Sequence, residues 1–266
     1  MKKQLLLSYT LTLIFSQSLI EGNPQEKNAA FTYYRENLKS VGGWLAKGFL
    51  DIIVELDRHQ KNNNVRGNMA EIGVYHGKSF IPLYLLANND EFVLAVDTFE
   101  EHQPEYGSGM IGVYQKFISN LERFTPDRTK YREIKGDSSK KIAQDYINAC
   151  NGEKFRMFSV DGCHRAKETE IDLKNAFESL VPGGIIIVDD YFNYWWPEVS
   201  EGVSQFLLKH KDAKPFFIGF NKLLITQTEY APEYLEVLKR LPSSIKKKES
   251  PFYNSQVIIY EAIYAE

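Results

Sequence analysis

Asp161-Gly162-Cys163-His164 and Asp189-Asp190 put three carboxylates and an imidazole directly behind two short apolar runs, residues 157–160 and 185–188. Carboxylate oxygens are hard donors, and a group of them suits a divalent cation that keeps some of its water. A cation held there lowers the pKa of a hydroxyl bound to it. A histidine beside it titrates near neutrality and can take the proton that such a hydroxyl releases. Acids brought this close repel one another unless a cation, a proton or a positive ligand group intervenes. A divalent metal is the economical answer, and hydroxyl activation is the chemistry it implies.

The elements around these residues read as a strand–helix–strand unit. Between the two runs, Leu173, Ala176, Phe177 and Leu180 follow the i, i+3, i+4, i+7 pattern of a helix face, closed by Pro182-Gly183-Gly184. A right-handed crossover leaves the carboxyl ends of both strands on one edge. Open α/β sheets bind ligands along that edge. Upstream, residues 69–73 form a strand, and Gly73-Val74-Tyr75-His76-Gly77-Lys78-Ser79 turns into a helix running to about Asn88. Glycine in such a turn lets backbone approach a ligand, and the helix start offers unpaired N–H groups. Residues 92–96 form a second strand tipped by Asp97, and 131–135 a third tipped by Gly136-Asp137-Ser138. An acid placed as Asp97 is can bind a ribose diol, or cap the turn beside Thr98. Asp137 and Ser138 can meet an adenine edge, or make a plain turn.

Residues 198–210 read as a helix, and 214–219 with 222–226 as an antiparallel pair joined by a tight Gly-Phe-Asn turn. The sum is an α/β fold, a doubly wound and mostly parallel sheet with a terminal antiparallel hairpin. It divides into a helical segment over 23–65, a catalytic domain over 66–227 and a C-terminal extension over 228–266. In the helical segment Phe49, Ile52, Ile53 and Leu56 share an apolar face. The extension adds a helix around 234–241 and an apolar run, 257–260, that pairs on a sheet edge or crosses to a partner subunit.

Composition narrows the function. At 266 residues with 43% hydrophobic and 25% charged side chains, one large domain with appendages is expected. A net charge of −3 excludes the basic field that nucleic-acid binding needs. The basic run 246–248 reads as a solvated loop. Cys150 and Cys163 have no metal-type or disulfide spacing, and Cys163 reads as a small filler side chain. Residues 1–22, with two lysines before a diluted apolar stretch, read equally as a secretory signal peptide and as an N-terminal helix. The stretch is too short and polar for stable membrane insertion.

The ordered series Glu71-Ile-Gly-Val-Tyr-His-Gly-Lys-Ser79, Val96-Asp-Thr-Phe99, Lys135-Gly-Asp-Ser138, Val160-Asp-Gly-Cys-His164 and Val181-Pro-Gly-Gly-Ile-Ile-Ile-Val-Asp-Asp-Tyr191 resembles class I S-adenosylmethionine-dependent methyltransferases. It is most similar to the branch with Asp-Gly-x-His and a strand-five Asp-Asp. That branch includes the macrocin-type sugar O-methyltransferases, and its layout is similar to that of catechol O-methyltransferase. The resemblance spans residues 69–226. It implies an O-methyltransferase with S-adenosylmethionine as cosubstrate and Mg²⁺ as metal. The implied acceptor is a hydroxyl on a sugar or other small molecule, with a catechol-like phenol second. By the same resemblance Glu71, Gly73, Gly77 and Ser79 hold the methionine end, Asp97 the ribose, and Asp137 with Ser138 the adenine. Asp161, Asp189 and Asp190 are the implied metal ligands, and His164 the general base with Asp161 beside it. His102 is a reserve base, and Trp195 and Trp196 either wall the acceptor pocket or pack in the core.

Two other classes compete. A nicotinamide-dependent oxidoreductase shares the sheet and the acid at Asp97 but needs a fuller Gly-x-Gly-x-x-Gly turn. A repurposed S-adenosylmethionine-binding protein shares the fold without methyl transfer, yet this chain keeps all three acids. The cosubstrate favours a cytoplasmic protein, an exported one following if residues 1–18 act as a signal. A homo-oligomer is compatible with the N-terminal helices.

Overall fold

The computed structural model describes residues 24–99, 112–242 and 245–261. Five short runs rich in β-branched and apolar residues form parallel strands: β1 (Asn68–Ile72), β2 (Val93–Asp97), β3 (Tyr131–Lys135), β4 (Phe155–Val160) and β5 (Leu180–Val188). β1 and β4 are buried at every position, as strands covered on both faces must be. Four more strands follow: β6 (Ala213–Gly219), β7 (Lys222–Gln227), β8 (Lys247–Phe252) and β9 (Ser255–Tyr260). All nine join one sheet in the order β3-β2-β1-β4-β5-β7-β6-β9-β8. β7 pairs antiparallel with both β5 and β6.

Eight α-helices are described: α1 (Pro24–Glu36), α2 (Phe49–Asn62), α3 (Phe80–Leu86), α4 (Val113–Phe124), α5 (Ala143–Ala149), α6 (Ala166–Glu178), α7 (Pro197–Lys209) and α8 (Ala231–Arg240). Side-chain alternation along the strands sorts them into two layers. Met69, Ala95, Met157, Ile185 and Ile187 face a core shared with α1 to α4 and α8. Ala70, Ile72, Phe158, Ile186 and Val188 face the other core, shared with α5 to α7.

Several expectations change. The helical N-terminal segment is interrupted: after α1 and a 3₁₀ turn at Leu38–Ser40 the chain is irregular to α2, with Gly43 at φ +120°. Pro182-Gly183-Gly184 does not close a helix but lies inside β5, where the register against β4 slips. Glycine permits this because Gly183 has φ +79° and a Cβ on Gly184 would lie 3.0 Å from the Phe155 carbonyl oxygen. Leu180 accordingly belongs to the strand. Helices α4 and α5 fall where no element was expected, although Val113, Phe117, Leu121 and Phe124 give α4 a clear apolar face. The 257–260 run pairs parallel with β6 through Phe217↔Ile258 and Ile218↔Ile259. Lys247 and Lys248 are not a loop but open edge strand β8, and Lys247 Nζ sits 3.3 Å from the Leu238 and Lys239 carbonyls at the end of α8. A cation there complements the helix dipole. Cys163 is exposed rather than a filler, while Cys150 is buried.

Away from the strand tips, buried Arg156 of β4 pairs with Glu91 through Nε and Nη2, both at 2.8 Å, and with Asp57 of α2 at 2.8 Å. Gln60 of α2 accepts from the same guanidinium at 3.0 Å. This network fastens the N-terminal helices to the sheet. No helix among the described residues is long and apolar enough to cross a membrane. Residues 1–22 and His102 lie outside the described residues.

Candidate active site

After β1 the chain builds outward to β2 and β3, then returns to form β4 on the other side of β1. The crevice between the carboxyl ends of β1 and β4 is therefore the switch point at which such sheets bind ligands. The turn after β1 needs its glycines for close packing. Gly73 has φ +80°, and a Cβ there would lie 1.7 Å from the Asp161 carbonyl oxygen. Gly77 has φ +88°, with Phe117 2.9 Å from where its Cβ would be. Gly73 thus lets β1 and the end of β4 meet, which holds Asp161 beside the turn.

Asp97, at the tip of β2, accepts the backbone N–H groups of Tyr75 at 3.1 Å and Phe99 at 2.8 Å. Both donors adopt left-handed backbone, φ +46° and +51°. Burial raises the Asp97 pKa, and these backbone donors oppose the rise. Asp137 caps the 3₁₀ turn Ser138–Lys140 by accepting from Ser139 N at 3.0 Å, and the Ser139 hydroxyl beside it holds its pKa low. The Ser138 hydroxyl donates to Asp172 of α6 at 3.0 Å.

Glu71, one residue before the carboxyl end of β1, is fully buried, and neither of its carboxylate oxygens has a hydrogen-bond partner. Burial pushes its pKa up to about 8 against the pull of the Ser79 hydroxyl and the Lys222 ammonium. Ser79 precedes α3 at its N-cap position without a side-chain capping bond.

At the tips of β4 and β5, donor atoms of Asp161, His164 and Asp190 all lie within 4.8 Å of one another. His164 Nε2 is 3.0 Å from Asp190 Oδ2 and 3.6 Å from Asp161 Oδ1. The Trp196 ring stacks on the imidazole at 4.5 Å, which fixes its plane. Desolvation first, and repulsion from Asp189 next, raise the Asp161 pKa well above the carboxylate range. Asp190 shifts down, because bonds from His164 and Asn193 outweigh its desolvation. Asp190 takes φ +57°, turning its side chain out of the strand's alternation.

Asp189 is engaged elsewhere. Its Oδ2 lies 2.5 Å from Lys222 Nζ, and its Oδ1 accepts the Asp190 N–H at 2.8 Å. Lys222 opens β7 and is only 3% exposed. Burial alone would lower its pKa, but Asp189 and Asp161 raise it, so it is a charged ammonium. The neighbouring Asn221 donates to Asp190 Oδ1 at 2.6 Å. Sequence reasoning took this turn only as a hairpin connection. The available signal was a lysine opening an otherwise apolar strand, Lys-Leu-Leu-Ile, next in the chain to the hairpin turn.

Two carboxylates from adjacent strand tips, one of them raised in pKa by burial and by the neighbouring acids, fit a hard cation that retains water. The fit rests on Asp161 and Asp190, with His164 beside them. A cleft of about 420 Å³ between α2 and α8 contains none of these residues.

Residues 70–191 match the family model described as a methyltransferase domain. That stretch, just under half of the chain, is similar to methyltransferase domains. The match runs from β1 to the residue after Asp190, and so leaves out Asn193, Trp196 and the hairpin residues Asn221 and Lys222. No curated protein matches the sequence. Among solved structures, the O-methyltransferase NovP is similar at 19% identity and a TM-score of 0.54, over 67% of this chain and 79% of that one. The calicheamicin methyltransferase CalS11 is similar at 13% identity and a TM-score of 0.51, over 77% of this chain and 94% of that one. At these identities the likeness is one of fold, a Rossmann-like α/β architecture.

Proposed function

We propose that this protein moves a methyl group from S-adenosylmethionine to a hydroxyl oxygen of a small molecule, a sugar hydroxyl foremost. The observation that carries this reading is the convergence of Asp161, His164 and Asp190 beside the Gly73–Gly77 turn. Glu71, buried without partners, suits the ammonium of the methionine end, and Gly73, Gly77 and Ser79 line the same turn. Asp97 suits the ribose hydroxyls, since a carboxylate that accepts one backbone N–H on each oxygen has lone pairs left. Asp137 and Ser138 border the adenine side.

Asp161 and Asp190 would hold a divalent metal, Mg²⁺ by their hard oxygens, which when bound polarises the acceptor hydroxyl. Asp189 stands behind them, its charge matched by Lys222. His164 would accept the hydroxyl proton, and the Asp190 carboxylate 3.0 Å from its Nε2 stabilises the imidazolium that results. Trp196 keeps the ring in plane for that transfer. Phe192, Tyr194 and Trp195, all at least half exposed, follow Asp190 directly and offer flat surfaces on which a sugar ring can stack. The sugar preference also rests on the motif resemblance to macrocin-type enzymes.

The test is turnover of labelled S-adenosylmethionine with a panel of glycosides and phenols, with and without EDTA. Methylation of a glycoside hydroxyl that stops in EDTA and returns with Mg²⁺ is expected. Full activity in EDTA would remove the metal from the account, and no transfer to any acceptor would favour a repurposed binding protein.

A further inference from the structure

We propose that Lys222 is a positioning residue that takes Asp189 out of the metal's donor set, leaving a two-carboxylate site. The inference rests on the reading that Asp161 and Asp190 face the metal. Three observations lead to it. The first is placement. Leu224 faces the core that α2 shares with the sheet, so alternation puts Lys222 on that face too, and its Nζ lies 5.5 Å from the centre of the Phe49 ring of α2. Glu71 of β1 and Asp189 at the end of β5 both act electrostatically on the same ammonium.

The second observation is the cost of the arrangement. A lysine is almost never this buried unless paired. A buried ion pair is seldom more stabilising than an apolar pair of the same volume. The next residues, Leu223 and Leu224, are fully buried and show that the strand accepts leucine. Stability therefore does not explain the lysine, whereas control of charge beside three acids does.

The third is the way one turn handles both acids. Phe220 and Asn221 take φ +54° and +63°, the tight hairpin geometry that fixes where the next side chain points. From this turn Asn221 holds Asp190 Oδ1 and Lys222 holds Asp189 Oδ2. Asp190 is held by neutral amides on Oδ1 and faces His164 through Oδ2, while Asp189 alone has an ammonium on one oxygen and the Asp190 N–H on the other. A cation then meets two carboxylates and a nearby ammonium, which weakens its binding until an acceptor oxygen adds a ligand.

The experiment titrates Mn²⁺ into the full chain without cosubstrate or acceptor and reads bound ion by electron paramagnetic resonance. Asp189→Asn should leave Mn²⁺ affinity within about twofold of wild type, and Asp190→Asn should lower it at least tenfold. Lys222→Met should raise it at least tenfold by freeing Asp189, and adding Asp189→Asn to that variant should abolish the gain. A tenfold loss in Asp189→Asn, with unchanged circular dichroism, would overturn the proposal, since Asp189 would then be a ligand. So would a folded Lys222→Met protein that binds Mn²⁺ no better than wild type. If Asp190→Asn binds Mn²⁺ as wild type does, the metal assignment itself falls and the proposal with it. Where Lys222→Met does not fold, the Asp189→Asn result decides alone.

Discussion

The chemistry of this site depends on how individual charges are matched. Asp161, His164 and Asp190 were legible in the sequence because each follows a strand run closely, so the strand edge brings them together whatever the detailed packing. Asp189 was legible as an acid at the site but not as one already paired. Its partner, Lys222, is far along the chain and opens a hairpin strand, where a lysine normally meets solvent. Only pairing of β7 beside β5 buries it. His164 gives the residue-scale prediction. Its Nε2 faces both Asp190 and Asp161, and its ring is held by Trp196. His164→Ala should lower kcat by ~10²–10⁴, the usual worth of a positioned base, with cosubstrate affinity unchanged. A variant that keeps wild-type kcat would leave the imidazole a structural role.

Helix α6 and the turn after β3 meet through Asp172. Its carboxyl accepts from Ser138 on Oδ2 and has no partner on Oδ1, and a Cβ on Gly162 would lie 2.8 Å from Oδ2. Burial raises its pKa from 3.8 to about 7. The native state thus holds a proton that the unfolded chain has lost above pH ~4. Stability owed to this group is complete below pH ~4 and is lost as pH rises through about 7. Asp172→Asn should therefore match wild type in Tm near pH 4 and exceed it increasingly up to pH 8. Parallel Tm profiles would show that the carboxyl is not buried as described. Elements of this kind were only partly readable. The apolar periodicity of α6 stood out, but Pro182-Gly183-Gly184 signalled a helix end where the chain in fact begins a strand with a register slip. In a central strand, glycine made room for the neighbouring backbone, and tertiary packing overrode local turn chemistry.

For the whole molecule, the parallel half of the sheet followed from the alternation of strands and helices, while its far edge did not. β9 pairs with β6 across an intervening helix and hairpin, and no local pattern announces a pairing that distant. The N-terminal helices are likewise fixed by a long-range contact, the buried Arg156 network reaching from β4 to α2. Arg156→Met should cost ~3–5 kcal/mol in urea unfolding, because Asp57 and Glu91 are left buried without their cation. Adding Asp57→Asn and Glu91→Gln should recover much of that loss. A loss below ~1 kcal/mol, typical of a surface pair, would contradict the network's burial. These long-range ties hold the strand tips in register, and the methyltransferase reading depends on that register. Its most direct test is calorimetric titration of the full chain with S-adenosylhomocysteine, in wild type and in Asp97→Ala. The account predicts binding to wild type, no binding of NAD, and a loss of about 1.5–3 kcal/mol in Asp97→Ala with the fold intact. No binding of S-adenosylhomocysteine to the folded wild-type protein would contradict it.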